Sequence, residues 1–215
     1  MQDGLETKWS SGQITFHDGS TLKGVVRFNE VSKMISFKET PDAKDSRTFK
    51  ETKVFSLRLV DSTGNKRSFY SFELRVDEEK EVLLFEVLRE FKDWAVLGRK
   101  EMVQAIEGKS DDRNNEGLPM GKNTRAVLTQ IESIYAIDRN GNVELIQNTN
   151  RMETDGLMGD YSKNKNDINK ETLQKYMKEH YSDVESFVKK NKLKLKRKDD
   201  LLKALDYYGA LVSKS

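Results

Sequence analysis

The sequence predicts a mainly β protein, an antiparallel β-sandwich or incomplete barrel, followed by about three short C-terminal helices. Two observations carry this expectation. Up to about residue 150, short apolar runs alternate with polar residues and are joined by Gly/Asn/Asp turns; from Asp167 onward the apolar residues recur at helical spacing instead. The two prolines, Pro41 and Pro119, both fall in polar stretches that read as loops. The expected organisation is an antiparallel β region over 1–150, a polar linker over 151–166 and a helical tail over 167–215 packed on the β region.

Taken in order, Gln13–His17 and Thr21–Phe28 flank His17-Asp18-Gly19-Ser20, and Asp-Gly between two strand-like runs is a hairpin signal. Met34–Lys38 is a short third strand, and 41–46 is a polar loop. Val54–Val60 alternates, with Phe55, Leu57 and Leu59 against Ser56 and Arg58; Gly64 marks the turn after it. In Arg67–Arg75, Tyr70, Phe72 and Leu74 share a face. Glu81–Phe91 is apolar on both sides and fits either a doubly buried strand or a short helix. Its β-branched and aromatic content favours strand. Trp94–Leu97 continues the set, and Gln104–Asn123 reads as a surface loop. Ala126–Ile137 is the longest strand candidate. Asn140-Gly141 then predicts a type I′ turn into Val143–Gln147. Asn148–Asn166 is polar.

Within the tail, the expected apolar stripes are Leu173/Tyr176/Met177, Val184/Phe187/Val188 and Leu201/Leu205/Tyr208. Asp167 or Asn169 is expected to cap the first helix. Ser182-Asp183-Val184-Glu185 fits a capping box, Asp199 or Asp200 opens the last helix, and Gly209 is placed to end it. Helices of this length bury too little apolar surface to stand alone, so their stripes need the sheet as a partner, with Leu84 and Leu88 as its spare apolar positions.

Composition bounds the function classes. The 215 residues are 35% hydrophobic and 34% charged, which allows a modest core. Residues 161–215 carry 14 Lys/Arg against 8 Asp/Glu, and residues 1–160 carry 24 against 28, so the net +2 divides into +6 and −4. No cysteine is present, which excludes disulfides, thiolate metal sites and cysteine nucleophiles. No apolar run is long enough to span a bilayer as a helix, so no transmembrane segment is expected. The abrupt Met1-Gln2-Asp3-Gly4 start reads as a mature end from which a signal peptide has been removed.

Several segments resemble a family of uncharacterised exported (secreted or periplasmic) proteins abundant in Bacteroidetes. They are GQITFHDGSTLKGVVRFN with MISFKE, then SFYSFELR, VLLFEVLREFKDWAVLGRKE and IESIYAIDRNGNVELIQ. The tail LQKYMKEHYSDVESFVKKNKLKLKRKDDLLKALDYYG also fits. The resemblance covers roughly Gly12–Gly209. It implies export to the periplasm or beyond, a strand-rich region and a short helical tail, and it brings no catalytic residues.

Candidate chemistry is sparse. His17 and His180 are the only histidines, and both read as solvated surface side chains. Asp160, Ser162, Asn164, Asn166 and Glu171 echo the oxygen spacing of an EF-hand loop. Lys165 stands where its glycine belongs, Ile168 interrupts the ligands, and Lys163 and Lys165 oppose a dication, so no metal site and no cofactor are expected. The basic run Lys189, Lys190, Lys192, Lys194, Lys196, Arg197 and Lys198 offers a possible anion-binding patch. It holds no aromatic for base stacking, so no specific nucleic-acid recognition is expected. Asp77-Glu78-Glu79 and Asp111-Asp112 fall in turns. Trp9, Trp94, Tyr70 and Tyr135 read as packing residues, with a ligand-lining role as the alternative.

The leading functional expectation is a non-catalytic exported binding or interaction module of the cell envelope, whose partner is an unknown protein or envelope component. A carboxylate-based hydrolase is the first alternative. A weak binder of anionic lipid or nucleic acid through 189–198 is the second.

Overall fold

The computed structural model describes residues 8–76, 79–108, 124–152 and 167–213. Among them, eleven strands form one antiparallel sheet: β1 (Ser10–Phe16), β2 (Thr21–Asn29), β3 (Met34–Lys38), β4 (Arg47–Lys50), β5 (Val54–Val60), β6 (Lys66–Val76), β7 (Glu79–Glu90), β8 (Trp94–Gly108), β9 (Thr124–Asp138), β10 (Val143–Met152) and β11 (Asp167–Ile168). Across the sheet the order is β11-β10-β9-β8-β7-β6-β5-β1-β2-β3-β4. The architecture is therefore mainly β with a helical C-terminal part, as the alternation predicts. It is a single open sheet and not a two-sheet sandwich.

The N-terminal part of that sheet has to coil. β4 and β5 are four strand spacings apart in the order, about 19 Å in a flat sheet. The chain joins them through a single 3-10 turn, Glu51–Lys53, which spans only about 8–10 Å. The sheet curls to bring the two ends together and encloses Ile14, Val26, Phe28, Ile35, Phe37, Val54, Leu57, Leu59, Phe69 and Leu84. Gly24 permits tight pairing here, because a Cβ on it would lie 2.3 Å from the Lys38 carbonyl oxygen.

A fork follows. β7 and β8 pair only from Glu86↔Gly98 to Glu90↔Ala95. Below that point β7 stays with β6 and β8 stays with β9. A bulge between Val87 and Arg89 turns both Leu88 and Arg89 toward the side covered by the helices. A second bulge between Leu145 and Gln147 does the same for Ile146.

The helical part comprises α1 (Lys170–Met177), α2 (Tyr181–Lys190) and α3 (Lys198–Val212). The 3-10 turn Lys178–His180 joins α1 directly to α2, so the tail folds as two helical arms and not as three separate helices. Leu173, Tyr176, Met177, Val184, Leu201, Ala204, Leu205 and Tyr208 pack on Trp94, Val96, Ile134, Ala136 and Ile146 of the sheet. Trp94 is the anchor. Its ring lies 4.7 Å from Phe91, 5.1 Å from Tyr176 and 5.7 Å from Tyr208, and its indole N–H donates to the Tyr208 hydroxyl at 3.2 Å. Ion pairs Arg89–Asp206, Lys175–Glu144 and Lys198–Glu132 ring the interface.

Several local expectations are corrected. Gln104–Gly108 and Asn148–Met152 extend β8 and β10, because a long partner strand can hold a polar run through its backbone alone. Residues 109–123 and 153–166 lie outside the described residues. The Asn140-Gly141 hairpin is present, with φ of +84° at Gly141 only, so the turn is not type I′. The Asp138 carboxylate instead accepts from the Asn140 and Asn142 N–H groups. Ser182-Glu185 forms no capping box, since the 3-10 turn runs straight into α2 and His180 takes the N-cap position. Gly209 does not end α3, which continues to Val212; there it gives room to Phe91, 3.2 Å from where a Cβ would sit. Asn169 caps α1 as expected, accepting from the Thr172 N–H. Leu88 packs against the helix cluster, whereas Leu84 belongs to the coiled N-terminal core. Strands β4 and β11 and the Glu51 turn carry no sequence signal strong enough to place them.

Candidate functional site

The densest gathering of charge lies at the fork. Asn29 opens the turn between β2 and β3 by accepting from the Val31 and Ser32 N–H groups. Lys33 then takes a left-handed conformation, φ +59°, and its carbonyl accepts from the Glu51 N–H at 2.9 Å. This contact ties the β2–β3 turn to the 3-10 turn and lodges both in the gap between β7 and β8. Lys33 Nζ donates to the Lys100 carbonyl at 2.6 Å. Burial, and then the charge of Arg99, lowers the Lys33 ammonium pKa.

Arg99 is the hub. It donates to both oxygens of Glu51, at 3.1 and 2.9 Å, to the Leu84 carbonyl at 2.9 Å and, through Nε, to Glu101. Its side chain is 4% exposed and that of Glu51 is 5% exposed. Burial opposes the charge on Arg99, yet the Glu51 and Glu101 carboxylates outweigh it and raise the guanidinium pKa. On a neighbouring row, Arg67 bridges Glu86 at 2.6 Å and Glu30 at 2.8 Å. Glu86 is held below the usual carboxylate range: burial alone would raise it, but the Arg67 hydrogen bond and charge prevail.

This arrangement decides what the cluster can do. Glu51 has both oxygens committed to one guanidinium, and Arg67 holds Glu86 and Glu30. Acid–base catalysis needs a carboxyl group free to exchange a proton with a substrate. The cluster instead replaces the backbone ladder that β7 and β8 lack at the fork. Nothing in the sequence links Glu51, in a stretch without periodicity, to Arg99; only the coiling of the sheet brings them together.

The basic run is divided by the fold. Lys198 binds Glu132 of β9 and Lys189 binds Glu185 of its own helix. The Lys196 carbonyl accepts from the Gln147 side chain at 2.7 Å. Lys189, Lys190, Lys192, Lys194, Lys196 and Arg197 are exposed, and only Lys198 is half-buried. Beside them, between α2 and α3, runs an open groove lined by Phe187, Asn191, Leu193, Lys203, Asp206 and Tyr207. The Phe187 and Tyr207 rings stack in parallel at 4.1 Å.

The histidines lie apart. His17 is exposed with its ring 6.0 Å from Phe55, and His180 is half-buried with its ring 6.1 Å from Tyr208. Of the aromatics, Trp94 is buried, Tyr135 packs edge-on to Phe85 at 5.4 Å, and Tyr70 packs edge-on to Phe55 at 6.3 Å. Trp9 lies under Arg27 and Lys38. The Tyr176 hydroxyl is pushed up to about 12, by burial first and the Glu144 charge second. Among the described residues, no group of three His, Asp or Glu is placed to hold a metal ion. Most of the EF-hand-like stretch, Asp160–Asn166, lies outside them. Among the described residues, no helix is long and apolar enough to cross a membrane.

The described residues thus form an open, strongly coiled antiparallel sheet with an internally paired ionic fork and a docked helical tail. No family model, no curated protein and no solved structure matches the chain.

Proposed function

We propose that this protein is a non-catalytic binding or interaction module of the cell envelope, exported behind a signal peptide. The observation that supports it most is the full mutual pairing at the fork. The most buried carboxylate there, Glu51, accepts two hydrogen bonds from Arg99 and serves the architecture. The surface features left over, an aromatic groove and an exposed basic corner on the tail, are of the kind that engage a partner. The export part of the reading rests on the resemblance to exported proteins.

The test of non-catalysis is a panel of glycoside, ester and peptide substrates assayed with the parent protein and with Glu101→Gln, which removes the more exposed carboxylate at the fork. The expected result is no turnover above background in either. Turnover by the parent that is lost in Glu101→Gln would establish the hydrolase alternative. Export is tested by fractionating cells that express the native gene, with recovery in the cytoplasm as the opposing result.

A further inference from the structure

Resting on the interaction-module reading, we infer that the α2–α3 corner is the docking surface, and that its partner is an acidic protein segment carrying an apolar anchor side chain. The chain alternates here: Asn191 and Leu193 line the groove, while Lys190, Lys192 and Lys194 interleave with them and are exposed. Helix α2 ends in a Schellman turn. The Leu193 N–H donates to the Val188 carbonyl at 3.0 Å, and Lys192 takes φ +52°. That turn places an apolar residue between two lysines at the mouth of the groove.

The charges of the groove itself are already balanced. Lys203 pairs with Asp200 and Asp206 pairs with Arg89. The adjoining corner is left cationic, with Arg197 exposed beside the lysines. The chemistry offered is a recess for one or two apolar side chains beside a positive rim. That complements a segment in which Asp or Glu alternates with Leu or Phe.

Two other partners fit less well. Phe187 and Tyr207 are half-buried and line a recess, so they offer a bilayer little protruding apolar surface to insert. Each ring already gives one face to the other at 4.1 Å, which leaves a poor platform for stacking bases.

The test is fluorescence anisotropy on the full chain with a labelled synthetic peptide of alternating Asp/Glu and Leu/Phe. Controls are a peptide with Lys in place of the acids, phosphatidylglycerol vesicles and a single-stranded oligonucleotide. The expected result is binding of the acidic peptide alone, weakened about tenfold or more by Lys190→Glu/Lys192→Glu/Lys194→Glu. Asn191→Trp, which fills the groove from the exposed side and gives up an exposed hydrogen bond to the Phe187 carbonyl, is expected to weaken binding comparably while the chain still unfolds cooperatively. Equal binding by the lysine variant, no binding of the acidic peptide, or stronger binding to vesicles or to the oligonucleotide would overturn the inference. Because turnover is assayed separately, a failed peptide experiment leaves the non-catalytic reading standing, and detected turnover sinks that reading whatever the peptide does.

Discussion

Arg99 donates to the Leu84 carbonyl at 2.9 Å at the place where β7 and β8 cease to pair. The Leu84 carbonyl has no β8 partner, and an unpaired buried carbonyl is costly. The guanidinium supplies the missing donor, and Glu51 neutralises the charge this introduces. The coiled N-terminal part and the helix-covered part of the sheet are thus held by a short ladder and an ionic clasp.

Breaking one side of that clasp should therefore be severe. Glu51→Gln leaves a buried guanidinium short of its counter-charge, and the expected loss is about 3–5 kcal/mol in urea unfolding. The double variant Glu51→Leu/Arg99→Met, which removes both charges, should lose clearly less than the sum of the two single changes. Additive losses would show that the two side chains act independently.

Trp94 should control the attachment of the helical tail. Trp94→Ala removes the ring that touches Phe91, Tyr176 and Tyr208, and should cost about 3–5 kcal/mol. Limited proteolysis should then cut within 167–213 before the sheet. Trp94→Phe, which keeps most of the packing but loses the bond to the Tyr208 hydroxyl, should cost about 1–2 kcal/mol. If the Ala variant keeps the tail as protected as in the parent, the docking role assigned to Trp94 is wrong.

At Gly209 two effects oppose each other. A helix-interior glycine is about 1 kcal/mol less favourable than alanine, while the new Cβ would press on Phe91 at 3.2 Å. Phe91 is half-buried at a turn and can yield, so Gly209→Ala should shift stability by less than about 1 kcal/mol. Gly209→Leu cannot be absorbed in this way and should lose about 1–3 kcal/mol, measured by thermal unfolding.

The turns predict an acid response. Asp61 lies at about 2 against an ordinary 3.8, chiefly because the Thr63 hydroxyl donates to its carboxylate, with N–H groups of Thr63 and Asn65 adding to this. Its folded pKa is depressed, so the stabilisation is complete above pH about 4 and is lost as pH falls through about 2. In an NMR titration of the carboxyl carbon, Thr63→Val should move the midpoint upward toward 3.8. An unchanged midpoint would assign the depression to the backbone donors alone.

Much of the sheet was legible in advance because its strands announce themselves locally. Met34–Lys38 and Val54–Val60 have the same bounds in sequence and structure, and the doubly apolar Glu81–Phe91 stretch is a strand whose Leu83, Leu84 and Phe85 are all buried. β4, with Phe49 among charged and polar residues, and the two-residue β11 are defined only by their partners. The helix signals at Ser182 and Gly209 do not set the helix ends. A capping box and a terminal glycine are local preferences of under about 2 kcal/mol, which a continuous 3-10 turn and the Phe91 contact override.

For the sites, composition located the basic run but not its division. Lys198 is drawn in by Glu132, 66 residues away in the chain, while the rest of the run stays exposed. The Phe187–Tyr207 stack and the Glu51–Arg99 pair were invisible for the same reason. Alternation and helical spacing set the class of most segments locally, because both are consequences of backbone geometry within a few residues. The coil at Glu51–Lys53, the fork at Glu86↔Gly98 and the groove between α2 and α3 come from long-range packing instead. Each of these arises where chain connectivity and side-chain volume force distant segments together, and one-dimensional patterning carries no record of such distances.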